Sequence, residues 1–317
     1  MADRERPTLA GLGEFAVIEE LVARRTQTRL VEVGPGDDAA VVLAPDGRTV
    51  VSTDMLVEGR HFRLDWSTPH DVGRKAIAQN AADVEAMGAT PTAYVVGFGA
   101  PGDTPADAVT ALSDGMWAEA GRTGAGIVGG DLVAAPQWVV SVTVLGDLAG
   151  RAPVLLSGAR VGDVVAVIGD LGTSAAGYAL WHGEIRGFDE LHRRHLVPEV
   201  PYGSGRLAAD GGATAMTDVS DGLVADLGHV AAASGVTVEL STAALLADRD
   251  VVAAAAEAAG ADPWDWVLGG GEDHALVATF PAAPPAGWRR IGSVVDGPAR
   301  VLVDGAQWRG SAGWQSY

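Results

Sequence analysis

Thr214-Ala215-Met216-Thr217-Asp218-Val219-Ser220-Asp221-Gly222-Leu223 is the stretch that decides the fold. Residues 214–217 read as a short strand. Ser220 reads as the N-cap of a helix running from 221 to about 233, with Leu223, Leu227 and Val230 as its apolar stripe. A strand that enters a helix through two aspartates sets carboxylates beside free backbone N–H groups. The N–H groups favour anions and the carboxylates favour cations, so a metal-bridged polyphosphate satisfies both. An ordinary N-cap with an acidic first turn also accounts for these residues.

Working outward, the same pairing of carboxylate with glycine or hydroxyl recurs. Asp37 and Asp38 stand together in Gly36-Asp37-Asp38-Ala39-Ala40, and in extended backbone they point to opposite sides. Taken alone, this pair is explained better by a solvated turn. Ser52-Thr53-Asp54 reads as a strand ending in a carboxylate, with two hydroxyls that can add neutral oxygen ligands; strand exit and capping explain it equally well. His61 follows at the end of a Glu58-Gly59-Arg60 run, where a lone histidine is more often structural. Asn80 and Asp83 lie three apart on a predicted helix and so share a face. A carboxylate there among small apolar residues is costly unless paired, which makes Asp83 a candidate metal ligand. Gly129-Gly130-Asp131 lets a phosphate approach the backbone, and serves as readily as a plain turn. Gly269-Gly270-Gly271-Glu272-Asp273 completes the set.

Around these motifs the sequence predicts helices over 14–25, 69–87, 106–120 and 174–181. It predicts strands over 39–43, 49–52, 94–98, 138–145, 164–168, 236–240, 275–280 and 301–303. Neither half has a clean βαβα rhythm or a dinucleotide fingerprint in the right setting, so a mixed α+β architecture is expected. A Gly/Ala/Pro stretch over 146–153 marks a domain boundary, and the length of 317 residues suits two domains.

Composition removes several classes. A formal net charge of −19 argues against nucleic acid and anionic membrane as partners, although acidic surfaces also simply aid solubility. No cysteine is present, which excludes disulfides, thiolate catalysis and iron–sulfur clusters. Lys75 is the only lysine, so there is no P-loop and no kinase strand lysine; the seven histidines form no zinc-hydrolase motif. A nucleotide bound here would need metal ions and a few arginines to neutralise its phosphates. With no signal core and no apolar run long enough to span a bilayer, a cytoplasmic enzyme is expected.

In order and spacing, these runs resemble the thiamine-monophosphate kinase family. Its superfamily also holds aminoimidazole ribonucleotide synthetase, selenophosphate synthetase and a hydrogenase maturation protein. The resemblance extends from Gly13-Glu14-Phe15 to Gly313-Trp314, and the run from Thr53-Asp54 to His61-Phe62 separates this chain from the other branches. It implies an α+β (mixed α/β) protein of two domains with the active-site cleft between them. The N-terminal ATP- and Mg-binding sheet domain (1–148) would form a homodimer, and a C-terminal α+β domain (149–317) would follow. It implies Asp38, Ser52, Thr53, Asp54, Asp83, Asp131, Asp218 and Asp221 as metal ligands, with Asp83, Asp218 and Asp221 closest to the chemistry and Asp37 a secondary candidate. Gly130, Asp131, Arg151 and Ser220 would contact the nucleotide; His61, Asp273, Trp314 and Tyr317 would line the thiamine-phosphate side. The implied reaction is direct in-line transfer of the ATP γ-phosphoryl group to thiamine monophosphate with several Mg²⁺ ions and no phosphoenzyme. The alternatives are another ATP-dependent enzyme of the superfamily, acting on a different small phosphate or amide, and a non-catalytic nucleotide-binding protein. The chain departs from the family's common pattern at Ala81-Ala82, at His274-Ala275 and at Gln315-Ser316-Tyr317.

Overall fold

The computed structural model describes residues 7–23, 25–35 and 39–310, so Asp37, Asp38, Trp314 and Tyr317 lie outside the described residues. The chain forms two compact units, one from Met1–Ala81 with Pro91–Asp147 and the other from Ala82–Thr90 with Leu148–Tyr317.

The first unit contains α1 (Leu9–Leu12), α2 (Glu14–Val22), β1 (Val31–Val33), β2 (Val41–Val42), β3 (Val50–Val57), α3 (Pro69–Ala86), β4 (Thr90–Ala100), α4 (Ala106–Thr123), β5 (Gly126–Ala134) and β6 (Val139–Asp147). The division between units falls inside α3. β3, β6, β4 and β5 form a four-stranded sheet in that order. β3 pairs with β6 antiparallel at every step from Val50↔Gly146 to Val57↔Val139, which carries the strand well beyond the predicted end at residue 52. Cross-strand pairing of this kind is tertiary and leaves little trace in local propensity. α3 and α4 approach closely at two glycines. A methyl on Gly73 would meet the Leu112 carbonyl oxygen at 2.0 Å, and one on Gly115 the His70 carbonyl oxygen at 2.0 Å. Gly124, left-handed with φ 74°, ends α4.

The second unit contains β7 (Val164–Ile168), α5 (Thr173–His182), α6 (Asp189–Leu196), α7 (Ser204–Asp210), β8 (Ala215–Asp218), α8 (Leu223–Ser234), β9 (Thr237–Leu240), α9 (Leu246–Ala259), α10 (Pro263–Gly269), β10 (Leu276–Phe280), β11 (Arg289–Val295), β12 (Arg300–Val303) and β13 (Ala306–Gln307). Its seven strands run in the order β13-β12-β9-β11-β7-β10-β8. Alternation sorts the core into two faces. Val165, Val167 and Val277 pack with Leu223, Leu227 and Val230 of α8, while Ala166, Ala278 and Phe280 pack with Met216 and Trp288. The predicted stripe of α8 is therefore fully buried, and truncating Leu227 to Ala there would cost about 2–5 kcal/mol. No helix among the described residues is long and apolar enough to cross a membrane.

Candidate functional site

In the first unit, Asp54 sits in the middle of β3 rather than at a strand end. Its backbone N–H donates to Asn80 Oδ1 at 3.0 Å, and Gln79 Nε2 donates to its Oδ2 at 3.2 Å. Asn80 is buried and tied to its own helix through Nδ2 and the Ala76 carbonyl. Strand alternation puts Ser52 on the same side as Asp54 and turns Thr53 to the other. Thr53 Oγ1 donates to the Val142 carbonyl and accepts from Thr143. The three neighbours thus do not present their side chains to one point.

Gly129-Gly130-Asp131 is not a turn but part of β5, parallel to β4. The register pairs Gly130 with Val96, and a methyl on Gly130 would lie 1.9 Å from the Val96 carbonyl oxygen. Glycine is required there for the strands to close. Asp131 is exposed and accepts its neighbour Leu132 N–H at 2.9 Å. Both residues border a largely apolar cavity of about 1060 Å³, together with Leu21, Val42, Phe98 and Met116. His61 serves a turn: its Nδ1 accepts the Val57 N–H, and its carbonyl accepts Lys75 Nζ.

In the second unit, Asp218 is the last residue of β8 and is nearly buried. Ser220 does not cap the helix. α8 starts at Leu223 with Gly222 as its cap residue, at φ 134°, and with no side-chain cap. The work falls to Asp226 in the first turn, whose Oδ2 accepts the N–H groups of Asp221 and Gly222 at 3.1 and 3.0 Å. Burial, together with the charges of Asp218 and Asp221, pushes the Asp226 carboxyl up to about 7 against those two donors. Asp226 carried no motif in the sequence; an acidic residue in the first turn was its only signal. Ligand atoms of Asp221, Asp226 and the exposed His229 lie within 4.8 Å of one another.

The loop before β10 runs beside this junction. Glu272 N–H donates to the Ser220 carbonyl and His274 N–H to the Val219 carbonyl, at 2.7 and 2.9 Å. Asp273 turns inward: its carboxylate accepts the backbone N–H groups of Gly172 and Ser174 and the Thr173 hydroxyl, at the start of α5. Burial raises it to about 7 despite these donors. Glu272, by contrast, keeps a side chain 30% exposed, 3.7 Å from His195. His274 Nδ1 lies 3.0 Å from Asp218 Oδ2. Burial works against its charged form, but the bond to Asp218 and the charges of Asp218, Glu272 and Asp83 prevail and raise its pKa. Arg151 forms a two-pronged pair with Asp210 and donates to the Leu148 carbonyl.

The chemistry available is that of hard oxygen donors. Carboxylates gather with like charge in the second unit, and a divalent cation relieves such crowding.

Comparison with known proteins covers nearly the whole chain. Residues 36–148 match the N-terminal domain, and residues 160–303 the C-terminal domain, of AIR synthase related proteins. The chain is 70% identical over 313 residues to a thiamine-monophosphate kinase of Mycobacterium tuberculosis, covering 99% of this chain and 94% of that one. It is 42% identical to a thiamine-monophosphate kinase of Corynebacterium glutamicum, covering 99% and 96%. A solved structure described as AaThiL complexed with AMPPCP and TMP superposes with a TM-score of 0.79 at 31% identity, covering 96% of this chain and 97% of that one.

Proposed function

Since this chain belongs to the AIR synthase related family and, within it, to the thiamine-monophosphate kinases, we propose that it transfers the ATP γ-phosphoryl group to thiamine monophosphate with Mg²⁺ ions held by its aspartates. It is an ATP-dependent phosphotransferase with a phosphate-bearing acceptor. The acceptor oxygen is already anionic near neutral pH and needs little help from a general base. The difficulty lies in bringing two anions together in line. Bound Mg²⁺ would screen that repulsion and stabilise charge on the transferred group and on the leaving ADP oxygen.

The observation that carries this reading is the crowding of Asp218, Asp221 and Asp226 in a buried setting, where burial first and then the two neighbouring charges lift Asp226 to about 7. Three carboxylates so placed fit a hard cation by their donor chemistry. The second unit offers Asp83, Asp218 and Asp221 as ligands; the first offers Asp54, Asp131 and, outside the described residues, Asp38. Asp54 is oriented for the task by Gln79 and Asn80. Asp226 holds the backbone from which Asp221 projects. The apolar cavity beside Gly130 and Asp131 suits a base or another flat ring of the substrates. Transfer is direct, with no phosphoenzyme. The enzyme works in the cytoplasm as a homodimer, a reading supported by Val51, Met55, Val95 and Val133, all exposed on strands of the four-stranded sheet.

The test is a ³¹P NMR time course with ATP, thiamine monophosphate and Mg²⁺. Thiamine diphosphate signals that vanish without divalent metal are expected. ADP and free phosphate without thiamine diphosphate would move the assignment to another acceptor, and no turnover by folded protein would overturn it.

A further inference from the structure

His274 occupies a confined place. It is 5% exposed and its backbone is left-handed, with φ 52°, a region uncommon for non-Gly residues in which Asn, Asp and His are enriched. The backbone around it is fixed on both sides: His274 N–H donates to the Val219 carbonyl, and Val219 N–H to the Ala275 carbonyl at 2.8 Å. Two steps further, Leu276 is in register with Asp218. From this frame, Nδ1 reaches Asp218 Oδ2 at 3.0 Å. A carboxylate oxygen accepts here, so Nδ1 is the donor of this bond. Among the described residues Asp218 Oδ1 has no such partner, so one oxygen is committed and the other is left for a ligand.

We propose that His274 is a positioning residue that holds Asp218 in one rotamer with Oδ1 presented to a divalent cation. The proposal rests on the reading of Asp218 as a metal ligand. A carboxylate free to rotate must be ordered when a cation binds. One clamped in advance by a buried donor has already lost that freedom, and outer partners of this kind commonly set metal affinity. Burial of the pair strengthens the bond, since the low local dielectric favours it over an exposed contact.

The experiment measures Mn²⁺ binding to the nucleotide-free protein by the electron paramagnetic resonance signal of free Mn²⁺, alongside turnover with Mg²⁺. His274→Leu removes the donor. His274→Asn keeps a donor near Nδ1 and tolerates the left-handed backbone. Asp218→Asn weakens the ligand itself. Thermal melts check folding, and His274→Gly, which relaxes the backbone but also lacks the donor, replaces His274→Leu if that variant does not fold. The expected result is Mn²⁺ affinity lowered about tenfold or more by loss of the donor and kept within about threefold by His274→Asn. The concentration of Mg²⁺ giving half-maximal turnover should shift in parallel, while KM for thiamine monophosphate stays put. Unchanged Mn²⁺ binding in the donorless variant overturns the proposal, as does an equal loss in His274→Asn, which would make the ring mere packing. If Asp218→Asn binds Mn²⁺ like the wild type, the ligand assignment and the clamp fall together. If the donorless variant and Asp218→Asn weaken Mn²⁺ binding while His274→Asn keeps it, but the wild type forms no thiamine diphosphate, the reaction is wrong and the clamp stands.

Discussion

The carboxylates of the two units are held in different ways. In the first unit, Asp54 and Asp131 project from regular strands, partly or fully open to solvent, and their carboxylates accept from neutral amide donors, Gln79 Nε2 and the Leu132 N–H. In the second, Asp218, Asp226 and Asp273 are each more than nine-tenths buried, at the junctions where strands give way to helices or loops. Asp226 engages one oxygen, and Asp273 both, with backbone N–H groups. An aspartate beside a glycine is thus two different objects. A strand aspartate left open keeps its oxygens available, whereas a buried aspartate that gathers N–H groups is a brace for the loop beside it.

The contrast can be broken most decisively by activity. Asp83→Asn and Asp221→Asn should each lower kcat by about 10²–10³, the range for losing one fixed electrostatic contact to the transition state. Both variants should melt close to the wild type. Near-normal turnover in both would remove the second unit's half-buried carboxylates from the ligand set.

A brace should fail differently. Asp273→Ala strands three donors at the start of α5 and should cost about 2–4 kcal/mol in urea unfolding. Asp273→Asn, which keeps one acceptor oxygen, should cost less. Unaltered stability with a raised KM for thiamine monophosphate would instead return Asp273 to the substrate side, where the family resemblance places it.

The smallest effect is one of pH. Asp226 and Asp273 both rise from 3.8 to about 7 on folding. Their protonated forms favour the folded state below the unfolded value, and that contribution is lost as pH climbs from about 4 through about 7. The metal-free protein should therefore melt lower at pH 8 than at pH 5. Asp226→Asn should flatten the slope, and Mg²⁺ should recover part of the loss at pH 8. Parallel slopes for the variant and the wild type would show that Asp226 carries no such burden.

Much of this was legible in the residues themselves. The stripe Leu223, Leu227 and Val230 identified α8 because buried helices need a periodic face. Residues 164–168 were bounded as a strand at both ends, since Gly162-Asp163 and Gly169-Asp170 bracket an unbroken apolar run. What escaped was set by distant partners. β3 reaches Val57 only because β6 pairs with it. In the site, residue type was readable but burial was not. Ser220 looks like a cap and Asp226 does the capping, because the choice depends on which side chain the helix turns back on its own start. Thr53 could have been set apart from Asp54 by alternation alone, once residues 50–57 were known to be one strand.

Lys75 has a practical consequence. The single lysine of the chain lies 1% exposed on α3, its ammonium spent on the His61 carbonyl. Acylating reagents thus find no side-chain amine on the native protein. Modification at Lys75 has to wait until α3 lifts away, and so its rate is a clock for opening of the first unit, readable by mass without any engineered label.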